Sequence, residues 1–328
     1  MSVYTHLSQT EVEHFISKYS LGKLVHYEGI AAGVENTNYF VDLKCNDNTT
    51  RYVLTIFEYL PHDVMPFFVS LTDLLADKAL PVPKSLRDVS NQALHDLHGK
   101  PSLLQVCLAG KHSPIPNHEQ CHAIGEMLGK IHQAATDCPL KQENQRGIAW
   151  LATQVERLTP LVSSDNAELL NKQLKRFQQF FDSVNIPQGI IHGDLFHDNA
   201  LFTGDRITGI IDFYNACYDY WLYDIAVTVN DWCRQDSLVL DEVKTNALLK
   251  AYHDVRPFTK EERTAWPVIL QFAAFRFWVS RLITFAHPEE NSSHSTADNP
   301  VVNSKNPDEM RDLMLSHYDN AHLLVLPN

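Results

Sequence analysis

Residues 190–202, IIHGDLFHDNALF, constrain the fold of this chain more than any other stretch. Two short apolar runs flank a polar loop, and the loop carries Asp194 and Asn199 five residues apart. About ten residues later, ITGIIDF ends a third apolar run on Asp212. Short apolar runs bounded by Gly, Asp and Asn read as strands. The spacing predicts a hairpin that gathers Asp194, Asn199 and Asp212 around one point.

That set of side chains has a definite chemical competence. Transfer of a phosphoryl group to a hydroxyl needs a carboxylate to orient or deprotonate the attacking oxygen, and hard oxygen ligands for Mg²⁺. Asp194 suits the first task and Asn199 the second, while Asp212 is placed to bridge the metal to nucleotide phosphates. The residues therefore point to Mg²⁺-dependent phosphoryl transfer from ATP to a small hydroxylated acceptor.

The rest of the chain divides into a strand-rich first third and a helical remainder. Ser8 and Glu11 form a capping box at the head of a helix on which Val12, Phe15, Ile16 and Tyr19 share a face. Strand patterns cover Leu24 to Ile30, Tyr39 to Leu43 and Arg51 to Phe57, with a turn at Asn46 to Thr50. A helix over Asp63 to Lys78 and a last strand over Ser102 to Leu108 complete this part. Gly110, Pro114 and Pro116 break the chain after it. Asn117 and Gln120 cap the next helix, and further helices are expected over Gly147 to Thr159 and Ala167 to Asp182. The polar stretch from Pro288 to Pro307 predicts a long surface loop. The expected fold class is α+β in two lobes. A small antiparallel-sheet lobe over 1–108 holds the nucleotide, with a hinge near 106–110. A larger, mainly helical lobe over 109–328 carries catalysis and the acceptor.

Composition narrows the partners. The 27 basic and 40 acidic residues give a net charge of −13, a field that repels nucleic acid and anionic membranes. Six scattered cysteines without a CxxC pair are expected to be reduced thiols of a cytoplasmic protein. The N-terminus shows no basic and apolar leader pattern. The most apolar stretch, Trp266 to Ala286, is interrupted by Pro267, Gln271, Arg276 and Arg281, which suits a buried helix better than a membrane span.

HGDLFHDN resembles the HGDxxxxN loop of the aminoglycoside phosphotransferase and choline kinase superfamily, relatives of the protein kinases. IDFYNACYDYWLYDIA is similar to the second signature of that superfamily. The resemblance implies Asp194 as catalytic base, Asn199 and Asp212 as metal ligands, and His192 and Asp224 as structural supports of the catalytic loop. Four further segments, YTHLSQTEVEHFISKYSLGKL, GIAAGVENTNYFVDL, YVLTIFE and FRFWVSRL, are similar to homoserine kinases of the aminoglycoside phosphotransferase type. This second resemblance runs from Val3 to about Tyr318. It implies a bilobal protein-kinase-like fold, ATP as donor, and L-homoserine phosphorylated on its side-chain hydroxyl for threonine biosynthesis. Gly33, Asn36, Asn38 and Val106 are then the expected nucleotide contacts.

Departures from the kinase pattern leave three points open. Protein kinases carry a lysine on the third strand, where YVLTIF here has Thr55. Lys44, Arg51 and His197 remain as candidate cations for the phosphates. A zwitterionic acceptor needs a cation for its carboxylate, ideally an arginine. Arg276 and Arg281 are the candidates, and a structural ion pair suits either as well. Asp231 and Trp232 are placed to line the same cleft or simply to pack on a helix. Two rival functions stand: a kinase of this fold acting on choline, hydroxylysine, methylthioribose or an aminoglycoside, and a nucleotide-binding regulator without catalysis, motivated by Thr55. Oligomeric state is not legible.

Overall fold

A computed structural model describes residues 3–31, 35–234, 238–286, 306–320 and 325–327. Gly33 and residues 288–305 of the expected polar loop lie outside the described residues. Contacts divide the chain into two compact units, residues 1–110 with 208–211, and residues 111–207 with 212–328.

In the first unit, helix α1 (Gln9–Ile16) is opened by the Ser8/Glu11 capping box. Strands β1 (Lys23–Gly29), β2 (Asn36–Cys45), β3 (Asn48–Phe57), β4 (Leu94–Leu97) and β5 (Lys100–Val106) form one sheet in the order β1-β2-β3-β5-β4. Neighbouring strands pair antiparallel throughout. Burial alternates along β2, as the period of a half-buried strand requires. Its Tyr39, Val41 and Leu43 meet Leu54, Ile56 and Leu104 from β3 and β5, and Val12, Phe15 and Ile16 from α1. Each such side chain contributes about 1.5–3 kcal/mol through burial. Helix α2 (Met65–Asp77) follows β3. Strand β4 escaped the sequence pattern because it is only four residues long. It joins β5 through His98 and Gly99, both with positive φ, the geometry of a tight hairpin turn. Strand β5 starts earlier than expected, since Pro101 is accommodated opposite Asp96 near the strand's beginning.

The second unit contains α3 (His118–Ala134), α4 (Ile148–Leu158), α5 (Ser164–Phe181), α6 (Trp221–Trp232), α7 (Glu242–Val255), α8 (Lys260–Ala286) and α9 (Pro307–Asp319). Between α5 and α6 run β6 (Gln188–Ile191), β7 (Ala200–Thr203), β8 (Arg206–Ile210) and β9 (Cys217–Tyr220). The two apolar flanks of the 190–202 segment do not pair with each other. Strand β6 pairs with β9 and β7 with β8, because the intervening loop is too long for a hairpin turn and contains a 3₁₀ turn at His197–Asn199. Helix α8 is long and apolar enough to cross a membrane by composition alone, yet 67% of its most apolar window is buried inside the protein. Its Phe272 and Phe275 pack on Phe177 of α5, so it is a core helix. All six cysteines are free.

Two features of the helical packing are testable. A Cβ on Gly125 of α3 would sit 2.2 Å from the Leu248 carbonyl oxygen of α7, so the helices touch through backbone. Gly125→Ala should lose about 1–3 kcal/mol of stability despite the better helix propensity of alanine. An unchanged urea midpoint would contradict that close approach. His317 of α9 is bonded to Asn230 Oδ1 at 2.7 Å, and Asn230 Nδ2 donates to Leu270 O of α8. Burial lowers the His317 pKa from 6.5 to about 4. The unfolded chain then binds the proton more readily, so stability is full above pH ~6.5 and falls as pH drops towards ~4, by about 3 kcal/mol from this group. Unfolding midpoints measured for the protein and for His317→Gln should converge over that window.

Candidate active site

The loop between β6 and β7 is built around a buried carboxylate. Asp224, in the first turn of α6, is fully buried. It accepts the backbone N–H of His192 and that of Gly193, each at 2.8 Å. A helix N-terminus favours an anion there. His132 of α3 adds a third hydrogen bond at 3.0 Å through Nε2, and its Nδ1 lies 2.7 Å from the Tyr252 hydroxyl. That hydroxyl accepts from Arg256 Nε at 2.6 Å, and Arg256 pairs with buried Glu262. Burial pushes the Asp224 carboxyl up, but the hydrogen bonds it accepts from His132 and from the His192 backbone outweigh it and hold it below the usual carboxylate range. Burial drives His132 towards its neutral form. A neutral ring donating from Nε2 and accepting at Nδ1 satisfies both neighbours. His132 was not singled out in the sequence, where it is one polar residue on the apolar face of α3.

The second half of the loop is held from the same helix. His197 contacts Asp231 Oδ2 at 2.7 Å through both its backbone N–H and its Nδ1. Trp232 Nε1 donates to Leu195 O at 2.9 Å. Asp224, Asp231 and Trp232 stand seven and eight positions apart, two turns along one face of α6. Read from sequence either as cleft residues or as helix packing, Asp231 and Trp232 give Oδ2 and Nε1 to the loop, and both also line a cavity with His197, Arg234 and Glu309. Within the loop, Asn199 Nδ2 donates to Asp194 O at 2.8 Å, so its Oδ1 is the end left to bind a cation.

Asp212 follows β8 in a left-handed conformation, φ 64° and ψ 55°, which costs a non-glycine residue about 1–2 kcal/mol and marks constrained sites. The next ring, Phe213, packs on His192 at 4.6 Å between centroids. Gly193 has φ +79°, and a Cβ there would lie 2.7 Å from Asn215 O. Only glycine suits that position, and the contact brings the Asp212 turn against the Asp194 loop. An amide oxygen at Asn199 and a carboxylate at Asp212 are the hard donors that Mg²⁺ prefers, so the residues present suit such an ion.

In the first unit, the position of the expected lysine is occupied by Thr55, whose hydroxyl donates to Asn38 Oδ1 on β2 at 2.7 Å. Asn36 starts the same strand. Val106 donates its N–H to Lys84 O at 3.1 Å and leaves its side chain exposed. Arg51 is engaged by Asp42 at 2.7 and 2.8 Å and lies over the Phe40 ring, which takes it from the candidate phosphate cations. The sequence reading missed the pair of Lys100 with buried Glu58, which also accepts from the Thr5 and Thr37 hydroxyls.

The two arginines of α8 differ. Arg281 donates to Glu309 at 2.6 Å and to Asn306 O at 3.1 Å, a structural ion pair with α9. Arg276 is buried, its guanidinium lies 4.1 Å from the Phe277 ring centroid, and its Nε has no partner among the described residues.

These features define a class of protein. Residues 26–258 match the phosphotransferase enzyme family, and the chain belongs to that family. Within it, the resemblance to homoserine kinases is borne out by full-length similarity. The chain is 40% identical over 98% of its length to a homoserine kinase of Methylobacillus flagellatus, covering 100% of that protein. It is 42% identical over 86% of its length to a homoserine kinase of Pseudomonas aeruginosa, covering 89% of it. Among solved structures, an amicoumacin kinase in complex with AMP-PNP, Ca²⁺ and Ami matches with a TM-score of 0.71 at 14% identity, over 96% of this chain and 94% of that one. The α+β fold expected from the sequence is thus the fold of aminoglycoside phosphotransferase-like kinases.

Replacing one Asp224 oxygen by an amide leaves a backbone N–H facing another donor. Asp224→Asn should lower turnover roughly tenfold to a hundredfold and stability by about 1–3 kcal/mol. Steady-state ADP release and thermal unfolding check both, and wild-type turnover in this variant would remove Asp224 from the support of the loop.

Proposed function

We infer that this chain transfers the γ-phosphoryl group of ATP to the side-chain hydroxyl of L-homoserine, giving O-phospho-L-homoserine for threonine biosynthesis. The observation that carries the chemistry is the eight-residue loop from His192 to Asn199, tied to α6 at its start and again at His197, with Asp194 between its two anchorages. The acceptor is inferred from relatives of about 40% identity that span nearly the whole chain.

In this reading Asp194 accepts a hydrogen bond from the acceptor hydroxyl and takes its proton as the oxygen attacks the γ-phosphorus. The bond to the bridging oxygen breaks, and ADP leaves with that electron pair. Asn199 and Asp212 would hold Mg²⁺, which supplies positive charge to the nucleotide phosphates when bound. The chain's own contribution is placement: Asp224 and Asp231 hold the loop rigid, so Asp194 needs little reorganisation during the reaction. Asn36, Asn38 and Val106 are assigned to the nucleotide; the Thr55–Asn38 bond joins β2 and β3. Such an enzyme works where ATP and free amino acids are dissolved, in the cytoplasm.

Coupled ADP release with Mg·ATP against L-homoserine, L-serine, choline, 5-hydroxylysine, methylthioribose and kanamycin tests the acceptor. A rate confined to homoserine supports the reading. A rate on another acceptor replaces homoserine, and ATP binding without any ADP release indicates a non-catalytic regulator. Asp194→Asn and Asp212→Ala should each lower turnover by at least roughly a hundredfold; near-wild-type turnover in either removes that residue from its role.

A further inference from the structure

Arg276 is 3% exposed on a helix whose neighbouring residues Phe272, Ala273, Phe275 and Phe277 are also buried. A guanidinium carries five N–H donors. Arg276 places its face over Phe277, a cation–π contact that satisfies none of them, and its Nε is buried without a partner among the described residues. Other arginines of this unit have side-chain partners: Arg234 and Arg281 share Glu309, Arg256 is on Glu262, and Arg176 on Gln271. Arg234 Nε is likewise buried without a partner among the described residues, but its guanidinium is tied to Glu309. A charge in such surroundings is costly without a counter-ion. Its position relates it to the catalytic loop. The Phe277 ring packs on Phe196, two residues after Asp194, at 4.7 Å between centroids. Tyr223 of α6 lies within electrostatic reach of both: burial raises its hydroxyl pKa, the Arg276 guanidinium opposes the rise, and Asp219, Cys217 and, least, Asp194 add to it.

We propose that Arg276 is the anchor for the acceptor's carboxylate, supplying from a buried position beside the Asp194 loop the cation that selects an amino acid over an amino alcohol. The inference rests on the amino-acid acceptor read above and assigns its recognition to one residue. Arg281 is assigned no part, since its guanidinium is held by Glu309, which it shares with Arg234, and by the Asn306 carbonyl. A bidentate guanidinium–carboxylate pair formed only with substrate ends the isolation of the charge and fixes the distance from the carboxylate to the attacking hydroxyl.

The test compares L-homoserine with 3-aminopropan-1-ol, which is homoserine without its carboxylate. In the wild-type protein kcat/KM should favour homoserine by on the order of a hundredfold. In Arg276→Met that preference should shrink to a few-fold. Arg276→Lys, which keeps the charge but not the fork, should fall between, with most of its loss in KM. A merely structural arginine would lower both acceptors together and leave the ratio intact, and an intact ratio in Arg276→Met overturns the proposal while the homoserine reading stands. If that variant does not fold, the Arg276→Lys ratio decides. L-homoserine amide on the wild-type protein needs no variant: turnover as efficient as that of homoserine overturns the proposal. Absence of any homoserine turnover by the wild-type protein overturns the acceptor reading itself.

Discussion

The hydrogen bonds from His192 and Gly193 to the Asp224 carboxylate are the interaction on which the rest of the site depends. Two successive backbone N–H groups at the end of a strand would be unsatisfied in a buried turn, and leaving either unpaired costs about 1–3 kcal/mol. One carboxylate at a helix N-terminus answers both. The turn is thereby held in a conformation that requires glycine at its second residue. Burying the carboxylate in turn requires His132, and His132 requires Tyr252. A chain of polar groups through the helical unit therefore stands behind the position of one loop.

Helix α6 is the organising element. Its first turn holds the start of the loop and its last turn holds the middle, through Asp231 and the indole of Trp232. Two turns of helix, about 10.5 Å of rise, separate the two aspartates that hold the loop. Asn230, between those anchors, ties the same helix to α8 and α9.

Much of this was legible in the residues themselves. The Asp194–Asn199 spacing, the later Asp212 and the capping boxes at Ser8 and Asn117 are local patterns, and local patterns survive folding. The pairing of β6 was not legible. Its apolar residues suit any neighbour, and the choice of β9 over β7 depends on how the intervening loop is tethered. Strand β4 was missed because four residues carry too little periodicity. Asp231 and Trp232 were noticed but their use was not read, since an aspartate two turns along a helix looks alike whether it faces solvent, substrate or a loop. His132, Glu58 and Lys100 gave no signal, because their partners lie far away in the chain.

The two arginines of α8 show the same division. Sequence placed both on an apolar helix and required each to have a partner or to reach a cleft, because a desolvated guanidinium is costly alone. It could not say which partner, as five positions along a helix separate them by more than a full turn and point them towards different neighbours. Tertiary structure set Glu309 against Arg281 and left Arg276, among the described residues, with an aromatic face beside the loop. The sequence by itself determined the chemistry the chain can carry, since reacting and metal-binding groups are covalent facts with local spacing. Which charges are spent on the fold and which remain for a substrate was decided only by packing, since ion pairing depends on distances between residues remote in the chain.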